Sequence, residues 1–267
     1  MRTEMANTKT KATEIDVALC RVTLYSALAL GFRPPTEETR ARLTSKEAVA
    51  ALAEAAALLD GNGGARLFSA VKELVAAEEE SLENMSASHR RLFGHTARGA
   101  VPPYETEYGA EALFQQPQEM GDIMGFYQAF GLTLNTTEHE RADHVSCECE
   151  FLSFLALKEV YALEHGDGSM VEETRKATRL FLRDHLDRFL PAFAKKLVRE
   201  DNNGLYGTLG SLGYEFIALE CVRFGVPLGP ENLILRPAED ERVPMACGSG
   251  ECPVMPGVSE LDETEGT

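Results

Sequence analysis

Residues 140–159, ERADHVSCECEFLSFLALKE, bring three chemically capable side chains together: Asp143, His144 and Glu148. Asp143 stands just before the first apolar-periodic residue, where a short carboxylate can accept hydrogen bonds from the open N–H groups of a helix. His144 and Glu148 are four apart and share a helical face. Such a group can attract a guanidinium or hold a proton near neutrality. It can equally be structural, with Asp143 as a cap and His144 satisfied by Glu148. His144, Cys147 and Glu148 could also ligate a metal, but no second cluster with ligand spacing lies near them in sequence.

A second stretch, VPPYETEYG at 101–109, has a different character. Pro102 and Pro103 fix an extended backbone, so Tyr104, Glu105 and Tyr108 are held in place. The loop either presents a binding surface or acts as a stiff connector whose tyrosines fill the core. A third pair, Cys247 and Cys252, is separated by a glycine-containing turn and supplies two thiols. Two ligands make half a zinc or iron–sulfur site, so metal binding, a reversible disulfide and no role all remain open.

The elements that must position these groups read as helices. Val145, Cys149, Leu152, Leu155, Ala156 and Val160 form the stripe of a central helix ending near Gly166. Before it, Ile15 to Ala29 mark a helix that stops at Gly31, and Ser45 opens an Ala-rich helix to Asp60. A helix is expected over 65–84, then a short one capped by Ser86 or Ser88, then one through Met120 to Phe130. After the central helix come one from Ser169 through Phe189, a bend at Pro191, and a last helix over 205–224. No stretch shows sustained strand alternation. The expected fold is all-α, a single-domain bundle of about nine to ten helices at 14–225. Residues 1–13 are expected as a disordered tail, and 226–267 as an extended proline-rich arm and acidic tail.

Composition narrows the function. The 267-residue chain carries a formal net charge of −17, which disfavours nucleic-acid binding and favours basic partners. The N-terminus lacks an apolar export segment, and the longest apolar stretch, 17–32, is short and contains Arg21. Six scattered cysteines do not form a secreted disulfide framework. These features fit a reduced, intracellular chain without membrane insertion. No P-loop or dinucleotide fingerprint is present.

Together the motifs resemble the TorD/DmsD/NarJ family of cytoplasmic maturation chaperones for molybdenum-containing oxidoreductases. Pro103, Tyr104, Glu105 and Tyr108 match the family's loop, with Thr106 in place of the usual Ser. Asp143, His144, Glu148, Phe151 and Leu152 match its helix-opening pattern, and FLRDHLDRFLPAFAKKL at 181–197 is a looser third match. The resemblance implies a helical protein that is not an enzyme and has no cofactor of its own. It implies binding of the catalytic subunit of an oxidoreductase of the DMSO reductase superfamily, through its twin-arginine leader, its mature part or both. Tyr104, Glu105, Tyr108, Asp143, His144 and Glu148 would then form the leader-binding site. Relatives can exchange helices between protomers, so monomer and domain-swapped dimer both stay open. The competing reading is a metal- or iron–sulfur-binding redox protein using Cys247 and Cys252.

Overall fold

The computed structural model describes residues 2–61, 65–74, 80–94, 98–110, 115–135 and 140–237, with residues 2–12 and 115 described by their backbone alone. Cys247 and Cys252 lie outside the described residues. The chain is built from α1 (Arg2–Gly31), α2 (Glu37–Thr44), α3 (Lys46–Asp60), α4 (Arg66–Glu73) and α5 (Leu82–Phe93), followed by α6 (Gln115–Ala129), α7 (Val145–His165), α8 (Gly168–Phe181), α9 (Asp187–Glu200) and α10 (Leu205–Phe224). A single 3-10 turn, Glu105–Glu107, interrupts the loop between α5 and α6. Among the described residues there is no strand, only three isolated bridges. The all-α expectation holds.

Helix α7 shows why. Its predicted stripe is buried throughout, with Val145, Cys149, Leu152, Leu155 and Ala156 fully removed from solvent. Helix α1 packs along one side of it and α8 along another, while α9 pairs with α10. The α9–α10 pair sits unusually close at Gly210, where an added Cβ would lie 2.9 Å from the Ala194 carbonyl oxygen. Burying so many whole Leu and Phe side chains, at about 1.5–3 kcal/mol each, is what offsets the ordering of the chain.

Several boundaries differ from the sequence reading. Helix α4 stops at Glu73, and α5 begins behind Ser81, whose Oγ accepts from the Asn84 N–H at 3.2 Å. Ser86 and Ser88 therefore lie within α5 and do not cap it. The bend placed at Pro191 is also corrected: Pro191 lies inside α9, and the change of winding is a π turn at Leu182–Leu186. Helix α1 runs back to Arg2, across residues expected as a tail because they show no apolar period. Finally, the compact unit extends to Arg236 and not to 225. Residues 234–236 run beside the 104–108 loop, with Gly109 N–H donating to Ile234 O and Arg236 N–H to Glu107 O, both at 2.9 Å.

Candidate functional site

The two sequence motifs meet at the start of α7. Tyr104 is bridged to His144 through the backbone, Glu105 N–H donates to Asp143 O at 2.9 Å, and Val145 N–H donates to Pro103 O at 2.8 Å. The proline pair thus sets the loop as an extended strip that stitches onto the turn before the helix. Gly109 closes the strip at φ +102, a conformation that disfavours side chains.

Each predicted residue takes a specific place. Asp143 is fully buried and does not cap α7. Its carboxylate accepts from Thr106 N–H at 3.3 Å and Thr106 Oγ1 at 2.8 Å, and from Arg141 through two nitrogens at 3.0 and 2.8 Å. The capping role belongs to His144, whose Nδ1 accepts from the Ser146 N–H at 3.1 Å. Burial, with the positive field of His89, Arg33 and Arg141, lowers His144 to about 3, so the ring is neutral at pH 7 with its hydrogen on Nε2. His144 meets Glu140 at 3.8 Å and does not bond Glu148.

Tyr104 is half-buried, edge-on to His144, with the Arg141 guanidinium 4.4 Å above its ring. Tyr108 is buried, with its hydroxyl donating to Pro102 O at 2.9 Å and its ring tilted against Phe189. In this conformation the five residues other than Tyr104 face inward, so they hold the site's shape.

Glu105 and Glu148 form the unusual part. Glu148 is 0% exposed, and its carboxylate oxygens face no cationic or N–H donor among the described residues, only the Glu105 carboxyl. Burial raises its pKa well above the ordinary carboxylate value, and the nearby charges of Glu105 and Asp143 raise it further. Glu105 is raised too, by burial, although His185 Nδ1 at 3.2 Å and Arg188 at 3.6 Å work in the opposite direction. Both shifts run in the direction that favours the protonated form.

Several contributors escaped the sequence reading. Thr106 and Arg141 lock Asp143, and Arg236 grips Glu119 with two bonds at 3.1 and 3.2 Å. Arg98 pairs with Glu107 at 2.6 Å. The nearest sequence signal was Arg141 two residues before Asp143, which only a turn could bring back onto the carboxylate.

Beside this assembly opens a groove of about 440 Å³. Phe151, Phe154, Leu132 and Leu134 supply apolar lining, and Glu140, Glu150 and Arg33 supply charged lining. Arg33 at the end of α1 pairs with Glu150 at 2.6 Å. Cys147 also lines the groove, with its thiol pushed up to about 12 by burial and by Glu140, so it is an unreactive thiol at neutral pH. Among the described residues no group of three or more metal-ligand side chains occurs. No described helix is long and apolar enough to cross a membrane.

Comparison with known proteins adds four findings. The family model described as "Nitrate reductase delta subunit" matches residues 43–195, more than half the chain. The chain is 38% identical over 108 residues to the chlorate reductase assembly chaperone protein of Ideonella dechloratans, covering 40% of this chain and 52% of that one. It is 30% identical over 154 residues to the selenate reductase assembly chaperone protein of Thauera selenatis, covering 49% and 78%. It is 28% identical over 153 residues to chaperone protein TorD of Vibrio cholerae, covering 57% and 66%. The chain thus spans about half the length of the chlorate reductase relative and just under two thirds of the TorD relative.

Proposed function

Because the chain belongs to the nitrate reductase delta subunit family, which includes the TorD and NarJ chaperones, we propose that it is a system-specific assembly chaperone for a molybdenum-containing reductase. Its client is the catalytic subunit of an oxidoreductase of the DMSO reductase superfamily, held in the cytoplasm while cofactor insertion and assembly proceed. The chain performs no catalytic step of its own and acts as a monomer or a helix-exchanged dimer.

The observation that carries this reading is the groove next to the two motifs, lined by Leu132, Leu134, Phe151 and Phe154 together with Glu140, Glu150 and the Arg33 that pairs with Glu150. Such a surface suits a client segment that combines apolar residues with arginines, as a twin-arginine leader does. Glu140 and Glu150 are the accessible acidic contacts, and Phe154 with Leu132 and Leu134 takes the apolar side chains. Asp143, His144, Tyr104, Glu105, Tyr108 and Glu148 act from behind this surface by fixing the loop and the first turn of α7. The chain's net charge of −17 adds long-range attraction for a basic leader.

Affinity capture of the tagged full-length chain from its anaerobically grown source tests the proposal. Recovery of a molybdenum reductase catalytic subunit with its leader intact supports leader binding, and recovery without the leader assigns binding to the mature part. Absence of any such subunit, across detergent-free and crosslinked preparations, contradicts the chaperone reading.

A further inference from the structure

The opposite half of α7 borders a second hollow, of about 560 Å³, between α1, α8 and the end of α10. Its charge is inverted relative to the rest of the chain. Arg21, Arg175, Lys176, Arg179 and Arg223 line it, against Glu14 and Glu159. Five of the 26 Lys and Arg residues of a protein with net charge −17 therefore converge on one concavity.

Carboxylates engage three of them, Arg21, Arg175 and Arg223, the last through Glu220 at 3.4 Å, and leave part of the donor set over. Arg21 is 1% exposed and binds Glu220 through Nε at 3.0 and 2.8 Å and Glu159 through Nη1 at 2.6 Å. Its Nη2 has no hydrogen-bond acceptor among the described residues, although the guanidinium lies 4.7 Å from the Phe224 ring centroid. Arg175 is held by Glu159 at 2.6 Å and Glu14 at 3.2 Å. Lys176 and Arg179, both exposed on α8, form no ion pair or side-chain hydrogen bond with a described residue. A buried guanidinium short of an acceptor among the described residues, beside the two exposed cations Lys176 and Arg179, is arranged for an anion that brings several oxygens.

We infer that this hollow is a binding site for a small phosphate-bearing ligand, with a two-phosphate group seated against Arg179 and Lys176 and oriented toward Arg21. Its volume and its cations on both the α8 and α10 sides suit a diphosphate better than a single phosphate. The site lies outside the client groove and does not depend on the chaperone reading.

Calorimetric titration of the purified full-length chain tests this, with inorganic pyrophosphate, inorganic phosphate, sulfate and an alkyl diphosphate ester at about 0.15 M salt, where diffuse surface attraction is screened. The expected result is saturable one-to-one binding of pyrophosphate with Kd below about 1 mM, tighter than phosphate or sulfate. The Lys176→Gln/Arg179→Gln variant, checked by its unchanged melting temperature, should weaken binding by at least about tenfold, the loss of charge-assisted bonds. An Arg42→Gln/Lys46→Gln control removes two charges elsewhere and should leave the affinity unchanged. Tighter binding of the ester would assign the group to an organic ligand, and equal binding to the free anion. Absence of saturable binding, sulfate binding as tightly as pyrophosphate, or equal weakening in both variants would overturn the site.

Discussion

The two ends of α7 bury charge in opposite ways. At the N-terminal end carboxyls are in excess: among the described residues Glu148 meets only the Glu105 carboxyl, and Asp143 is satisfied because Arg141 and Thr106 close over it. At the C-terminal end a donor is left over: Arg21 engages Glu159 and Glu220, and its Nη2 still has no acceptor among the described residues. Glu148 and Glu159, which mark the two ends, are eleven residues apart on one helix, about 16 Å. The comparison teaches that one rigid rod can carry two poles, one suited to cations and one to anions, provided each keeps its opposite charge outside.

The largest test of that contrast is Arg21→Ala. It removes the buried cation shared by Glu159 and Glu220, leaving Glu159 to Arg175 and Glu220 to Tyr25 and Arg223, and should cost about 3–5 kcal/mol in urea unfolding. A loss below about 1 kcal/mol would show that the pole is not a buried ion network. Next in size, Asp143→Ala removes the acceptor for Thr106 and Arg141 and should cost about 2–3 kcal/mol, with increased proteolysis in the 102–109 loop.

The acidic pole should also show itself in pH dependence. Glu148 has a folded-state pKa raised above its ordinary 4.5, so the protonated form is favoured in the folded chain. Its stabilising contribution is complete below that value and is lost as pH rises. Glu148→Gln, which cannot ionise, should therefore gain stability relative to the parent between pH 5 and pH 8, by about 1 kcal/mol or more. A constant difference across that range would remove the carboxyl pair from the account. His144 acts on the acid side. Its pKa is lowered to about 3, so its contribution is complete above 6.5 and declines as pH falls below that. The smallest effect belongs to the groove rim. Glu150→Gln should weaken client binding only a few-fold, about 0.5–1 kcal/mol, and most at low salt, because the contact is exposed.

Legibility in the sequence followed the range of the interaction. The stripe from Val145 to Val160 was readable because helical spacing repeats within one turn, and the fixed 102–108 loop because Pro102 and Pro103 act on their own backbone. The Asp143 contacts were misread at short range: the cap position fell one residue later, on His144, whose ring nitrogen does what a carboxylate was expected to do. The pairs that define the two poles were out of reach. Arg236 meets Glu119 across 117 residues and Arg21 meets Glu220 across 199. Nothing local marks either partner, and the arm carrying Arg236 looks like a polar linker until it is laid beside Glu107.

The claim at the centre of this account is that the groove beside the start of α7 holds the client. Phe154→Asp places a charge on its apolar floor at a half-buried position. Parallel affinity capture with the parent chain and this variant, both confirmed folded by circular dichroism, tests the claim most directly. The account predicts that the parent recovers the reductase catalytic subunit and that the variant recovers it at least about tenfold less. Equal recovery by the two would contradict it and place the client on another face.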